Sequence, residues 1–384
     1  MASDIKQRIN SIDMMRGLVM LIMVLDHVRE RFFLHQQVSD PMDINTTPPA
    51  LYFSRLAAHL CAPTFVFLTG LSAWLYQHSG PSGHRPLTGF LVKRGLFLIL
   101  LEVTLITFSW MGSYHTLYLQ VMWAIGLSML ALAALQQLPR WSLFIIASLL
   151  VFGHNALTPI QFAPSEWGYS AWTILHDRGY LLSDSVINVK VSYPLLPWIG
   201  VIVFGYLAGP LYNKATDAAL RQRWLWRLGW GCLALFAILR GANIYGETLP
   251  WHSGETVLAS AMSLFNLTKY PPSLAFLLLT LGVMFIGLVL MERLNSRFAQ
   301  RAAAVLAQFG GAPMFFYLLH LYLLLLLYQI AMAIWGANYG ELFGVNSIEQ
   351  IWLISLGLIL LLYWPTKQFA AFKRRTTLKW VKYL

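Results

Sequence analysis

Cysteine and charge are both scarce in this chain. Cys61 and Cys232 are the only cysteines; both sit in apolar segments and neither has a C-x-x-C partner. A disulfide framework and a thiolate metal site are therefore not expected, and packing is the role left for them. Only 11% of the 384 residues are charged, against about 25% in ordinary globular chains. Familiar chemistry motifs are missing too. There is no G-x-x-x-x-G-K-S/T phosphate cradle, no G-x-S-x-G elbow, no H-E-x-x-H and no dinucleotide fingerprint. A phosphate-bearing co-substrate would have to be held by discrete Arg and Lys side chains.

Apolar surface is what the chain has in excess, with a hydrophobic fraction of 58%. A protein core cannot absorb that much, so lipid takes the rest. Apolar runs long enough to span a bilayer, or nearly so, fall at about 12–34, 57–76, 90–110, 117–137, 141–156, 195–212, 224–241, 273–291, 304–335 and 349–365. They are continuous rather than alternating, which excludes a barrel. The expectation is an all-α polytopic transmembrane bundle of about ten helices with both termini cytoplasmic. It forms a single domain over 1–384, closed by a basic cytoplasmic tail over 366–384. The N-terminus does not read as a cleaved signal, because its apolar stretch carries Arg16, Asp26 and His27.

The net charge of +11 is placed as an orientation signal, not as a nucleic-acid face. Twenty of the 27 Lys and Arg, from Lys6, Arg8 and Arg16 through to Lys382, fall on alternating loops that this topology puts inside. The segments near 35–56, 157–194 and 242–272 are long, rich in Pro, Asn, Thr, Trp and Tyr, and face outward. Loops of that length are commonly functional.

Ionisable residues inside spanning helices cost about 2.5–3.5 kcal/mol each and so become candidates for function. The first helix is the extreme case. It carries Asp13 and Arg16, then an apolar stretch to Leu25, then Asp26-His27-Val28-Arg29-Glu30-Arg31. It should lie inside the bundle and line a polar cavity. Eleven residues separate Arg16 from His27, which is three turns and about 16 Å, so both share one face. Asp26 points about 100° away from His27 and should contact a neighbouring helix or a substrate. Glu102 in the third helix, and His320 with Tyr317 in the ninth, are further intramembrane candidates, each able to serve structure or chemistry. His35 in the first outer loop and His59 at the outer start of the second helix lie near the predicted outer mouth. Gly205 and Gly209 form a G-x-x-x-G that reads as close helix packing.

Several of these stretches resemble one family. Arg8-Ile9-Asn10-Ser11-Ile12-Asp13, Arg16-Gly17-Leu18 and Met23-Val24-Leu25-Asp26-His27 resemble the opening of bacterial membrane proteins related to heparan-alpha-glucosaminide N-acetyltransferase. Cys61 to Gly70, Tyr193 to Gly200, Lys269 to Leu274 and Phe316 to His320 resemble later motifs, so the likeness runs from residue 8 to about 325. It implies a transmembrane acyltransferase that moves an acetyl group from cytoplasmic acetyl-CoA to an extracytoplasmic sugar or glycan. Arg16, Lys93 and Arg94 would take the donor, with His27, Asp26, His35 and His59 as catalytic candidates. The Arg, ten residues, His spacing is similar to that of acyltransferase-3 proteins and maps onto Arg16 and His27. The loop histidine used by the lysosomal enzyme has His35 as its nearest counterpart, so two bases compete. A bacterial inner membrane, contact with lipid, a carbohydrate acceptor, no metal and no nucleic acid complete the expectation, with a homodimer left open. The alternatives are an exporter of an anionic solute, using the same buried Arg and His, and a non-catalytic assembly subunit.

Overall fold

A computed structural model of the chain describes residues 10–79, 84–378 and 380–383. Lys6, Arg8, Ile9 and Lys379 lie outside them. The chain is mainly helical. The first helix, α1 (Asn10–Phe32), leads into α2 (Pro49–Ala58) and α3 (Cys61–Gln77). Next come α4 (Thr88–Leu101), a π-helical turn (Glu102–Ile106) and α5 (Thr107–Met111), running on as one rod. The middle of the chain forms α6 (Val121–Leu135), α7 (Arg140–Phe152), the short α8 (Tyr169–Leu175) and α9 (Leu196–Leu207). The last third supplies α10 (Ala218–Gly241), α11 (Val257–Leu264), α12 (Leu274–Glu292), α13 (Arg297–Gly311), α14 (Pro313–Trp335) and α15 (Ile348–Arg375).

Four stretches among the described residues are long and apolar enough to cross a membrane: Pro49–Gln77, Leu274–Glu292, Pro313–Trp335 and Ile348–Arg375. Their outward faces carry large apolar side chains, such as Leu353, Leu360 and Trp364, about two-thirds exposed at 67%, 67% and 66%. Water would strip such a surface bare of favourable contacts, and lipid covers it.

Small residues set how closely the helices approach. A Cβ on Gly17 of α1 would lie 1.9 Å from the Leu306 carbonyl oxygen of α13, and one on Gly310 would lie 1.9 Å from that of Asp13. The same backbone contact joins α3 to α9, where a Cβ on Gly205 would lie 2.0 Å from the Phe67 carbonyl. Gly95 and Gly126 do this for α4 and α6. In lipid, where apolar burial offers no gain, such close packing is what drives helices together. The Gly205/Gly209 motif thus faces α3, with Gly209 against the Trp74 ring.

As expected of a helix rich in charge, α1 is enclosed. It packs on α2, α3, α12, α13, α14 and α15.

The structure departs from the sequence reading in three places. The apolar run 304–335 is two helices, not one. Pro313 has no N–H to donate and disfavours a helical Ala312, which takes φ −136° and ψ 58°, so α13 ends and α14 begins there. The bundle is not purely helical either. Strands β1 (Thr116–Leu119), β2 (Gly179–Leu182) and β3 (Asn188–Val191) form a small sheet, with β3 parallel to β1 and antiparallel to β2. Lastly, the tail expected from residue 366 continues α15 as far as Arg375.

Candidate active site

The face of α1 predicted to carry chemistry holds Arg16, Met20, Met23 and His27 at helical spacing. Arg16, Met20 and Met23 line a cavity of about 330 Å³. Asp13, Arg94 of α4 and Lys373 of α15 line it as well, together with the α13–α14 corner at Gly310, Gly311 and Pro313. Its other walls are apolar and include Phe65, Phe90, Leu98, Met122, Ile125 and Met129. Arg16 is fixed by Asp13 at 3.0 Å and also donates to the Ser72 hydroxyl. Three cations thus line a chamber whose walls are mostly apolar. Lys93, next to Arg94, is exposed and takes no part in the lining.

The cavity also touches Tyr317 of α14. The Tyr317 ring stands edge-on to His27, with centroids 5.9 Å apart, and Met23 lies one turn below His27 on α1. His27 is bonded to His320: its Nδ1 lies 2.7 Å from His320 Nε2. His320 Nδ1 lies 3.0 Å from the Phe316 carbonyl oxygen. A carbonyl only accepts, so His320 Nδ1 carries hydrogen, and in a neutral ring its Nε2 is then a lone pair. His27 Nδ1–H must therefore donate to it, and His27 Nε2 is left as a lone pair. The pair is fixed in the tautomer a general base requires. Trp110 of α5 stands edge-on to His27 at 5.0 Å, with its indole Nε1 buried and unbonded.

Beyond His27, toward the α1 C-terminus, lies a buried charged cluster. Asp26 pairs with Arg29 at 2.9 Å, and Arg29 also reaches Glu30 at 3.1 Å. Asp26 therefore bonds along its own helix, not across to a neighbour. Arg55 of α2, His59 at the α2–α3 junction, Asp40 and Lys269 complete the cluster. Asp40 accepts the backbone N–H groups of Lys269 and Tyr270. The Tyr270 and Tyr193 hydroxyls lie 3.2 Å apart.

The remaining sequence candidates are placed elsewhere. His35 stacks on Tyr339 with centroids 3.6 Å apart, and neither a hydrogen bond nor a ring contact joins it to His27. Glu102 accepts the N–H groups of Met122 and Trp123 at 2.8 and 3.1 Å, which caps the first turn of α6. Arg55, Trp110, Ser72 and Lys373 were not among the sequence candidates, and Lys269 entered only as the start of the Lys269–Leu274 motif. Only Met20 and Met23 carried a signal, as the i+4 and i+7 positions from Arg16.

A family model described as "Heparan-alpha-glucosaminide N-acetyltransferase, catalytic" matches residues 8–236. The chain belongs to this family. No curated protein matches it. The family's chemistry is acetyl transfer, with acetyl-CoA as the general donor, and its members are integral to membranes. The matched stretch holds Arg16, Asp26, His27, His35, His59, Arg94 and Glu102, while Lys269, Tyr317 and His320 lie beyond it.

Proposed function

We propose that this family member transfers an acetyl group across a bilayer, from acetyl-CoA at the end of the bundle bearing Arg16, Arg94 and Lys373 to a sugar or glycan at the opposite end. The observation that carries this reading is a cavity lined by those cations and by Tyr317, beside a histidine pair whose outer member keeps a free lone pair. The residues fit the donor. Arg16, Arg94 and Lys373 offer charge to phosphates, as discrete side chains must where no phosphate loop exists. The thioether and aromatic walls suit an aliphatic pantetheine arm.

Acetyl-CoA supplies the activated carbonyl. His27 Nε2 accepts the proton of the acceptor hydroxyl or amine as that group attacks the thioester carbon. The C–S bond breaks, and the same proton passes from His27 to the departing sulfur. The Trp110 N–H offers a donor for the negative charge that builds on the carbonyl oxygen. His27, not His35, is the base in this reading, because His27 stands against Tyr317, which lines the chamber, whereas His35 stacks on Tyr339. Lys93 is given no role in donor binding.

The same proposal takes the whole of 1–384 as one transmembrane domain of about ten helices in a bacterial inner membrane. Both termini are cytoplasmic, so the donor enters from the cytoplasm and the acceptor from outside. The 20-to-7 split of basic residues across alternating loops supports that orientation.

The test uses purified protein in nanodiscs. Acetyl-CoA and CoA should raise the thermal midpoint, since a ligand that binds only the folded state stabilises it. His27→Ala should keep that stabilisation and lose acetyl transfer to sugars. No response to CoA, or full transfer by His27→Ala, would overturn the proposal.

A further inference from the structure

The cluster beyond His27 sets three cations, Arg29, Arg55 and Lys269, among three carboxylates, Asp26, Glu30 and Asp40, but only the Arg29 side chain touches any of them. Arg29 satisfies both Asp26 and Glu30. Asp40 is occupied by two backbone N–H groups. That leaves Arg55 and Lys269. Each is only 6% exposed, and among the described residues neither has a carboxylate within salt-bridge distance. Beside them His59, 2% exposed, keeps both ring nitrogens without a hydrogen-bond partner, and Arg55 Nε is also unbonded. The charged groups acting on His59 are Lys269, Arg55 and Asp26, in that order. Lys269 acts on His27 as well, so it lies within electrostatic reach of both histidines.

Buried cations without partners are costly. A guanidinium or ammonium out of water loses several kcal/mol of hydration, and an unbonded buried polar atom costs about 1–3 kcal/mol more. A protein keeps such groups where a ligand completes them. Lys269 remains charged there. Burial works against its charge, Tyr270 and Asp26 outweigh that, and its pKa lies above the ordinary lysine value. Asp40 turns its carboxyl oxygens to the backbone N–H groups of Lys269 and Tyr270, not to the Arg55 or Lys269 side chains.

We propose that Arg55, Lys269 and His59 form an anion subsite for the acceptor, so that the sugar acetylated at His27 carries a carboxylate or phosphate group. Arg55 and Lys269 supply charge, and His59 adds one ring N–H. The anion held there anchors the sugar, which presents a neighbouring hydroxyl or amine to the base. This rests on the acetyltransfer reading above, and it names the class of acceptor. Neutral hexosamines would be poor acceptors, because they leave two buried cations incomplete.

The experiment measures binding separately from transfer. The intact protein in nanodiscs is titrated by thermal shift with glucuronate, glucosamine 6-phosphate, neutral glucosamine and inorganic phosphate, and independently with CoA. Glucuronate or glucosamine 6-phosphate should bind at least roughly tenfold more tightly than glucosamine, and whichever does so identifies the anion. Inorganic phosphate should compete with it. Arg55→Gln and Lys269→Gln should each weaken that binding roughly tenfold or more, while Lys269→Arg restores most of it. All three should leave the CoA shift unchanged. Arg94→Gln should do the reverse, losing CoA stabilisation and keeping the sugar's.

Equal affinity for charged and neutral sugars overturns the subsite, and so does unchanged binding in Lys269→Gln. Where Arg55→Gln does not fold, the pair Lys269→Gln and Lys269→Arg decides alone. Loss of the CoA response with the sugar response intact would instead remove the donor end of the acetyltransfer reading and leave the subsite standing.

Discussion

Replacing His320 should slow the chemistry without weakening donor binding. In the structure His320 Nδ1–H is committed to the Phe316 carbonyl at 3.0 Å, so its Nε2 can only accept, and it receives His27 Nδ1–H at 2.7 Å. His320→Phe keeps the ring volume but removes that acceptor. The His27 N–H is then left unsatisfied inside the bundle, a loss of about 1–3 kcal/mol. His27 can escape the penalty by moving its hydrogen to Nε2, which abolishes the lone pair that takes the acceptor's proton. At about 1.36 kcal/mol per factor of ten, kcat should fall about 5- to 150-fold. The KM for acetyl-CoA should stay within about twofold, because Arg16, Arg94 and Lys373 are untouched. His320→Gln should recover much of the loss, since its side-chain carbonyl oxygen can take the His27 hydrogen. The assay is transfer of labelled acetyl from acetyl-CoA to an amino sugar, with kcat and KM resolved. Wild-type kcat in His320→Phe would refute the argument. Equal losses in the Phe and Gln variants, with CoA stabilisation intact in both, would refute it too, because glutamine restores the acceptor.

Three further outcomes follow from other parts of the molecule. His35→Ala should leave acetyl transfer within about twofold of wild type and cost about 0.5–1.5 kcal/mol of stability from the lost stack on Tyr339; a silent transfer assay would return His35 to the catalytic set. Gly17→Ala should lower the thermal midpoint, with a cost of about 1–3 kcal/mol or more, because its methyl would lie 1.9 Å from the Leu306 carbonyl oxygen and force α1 and α13 apart; an unchanged midpoint would count against that contact. Asp40 titrates in the loop before α2, and burial raises its carboxyl pKa against the opposing pull of Arg55 and Lys269. A raised acid stabilises the fold fully below its ordinary value of 3.8, and that contribution is lost as pH rises through the folded pKa. Asp40→Asn should therefore flatten the decline of the thermal midpoint from acid toward neutral pH, and parallel profiles would refute the shift.

The first helix was legible because its residues conflict with a lipid setting. Arg16 and His27 sit on one face of a segment too polar to insert alone, and burial among six other helices resolves that conflict in the way the sequence demands. The break at Pro313 was harder to see. Hydropathy is an average over a window, and one proline among Leu, Phe and Tyr hardly moves it, while its missing N–H acts on the backbone regardless. The sheet was hidden for a related reason. Each of its strands has only four residues, and β1 pairs with β3 across some seventy positions of chain. A period of two cannot be read in so short a segment.

The site itself divides along the same line. What one helix carries by itself could be deduced: the Arg16–His27 face and the cost of leaving it in lipid. What depends on distant partners could not. Arg55 and Lys269 look like ordinary cations beside outer loops, where water would solvate them. They become buried only because Asp40, α2 and the Lys269–Pro272 corner fold over the end of α1. His320 likewise stood out only as a polar group on an apolar helix, since nothing local ties it to a residue 293 positions away. For His27 and His320 the structure supplies the partner that explains the cost of burial. Around Arg55, Lys269 and His59 it supplies no carboxylate in salt-bridge contact among the described residues, and Arg55 Nε and both His59 ring nitrogens have no hydrogen-bond partner. That asymmetry is the physical ground for expecting a charged acceptor: the neighbouring carboxylates make their contacts with Arg29 and with backbone N–H groups, while Arg55, Lys269 and His59 lie close by without such a contact.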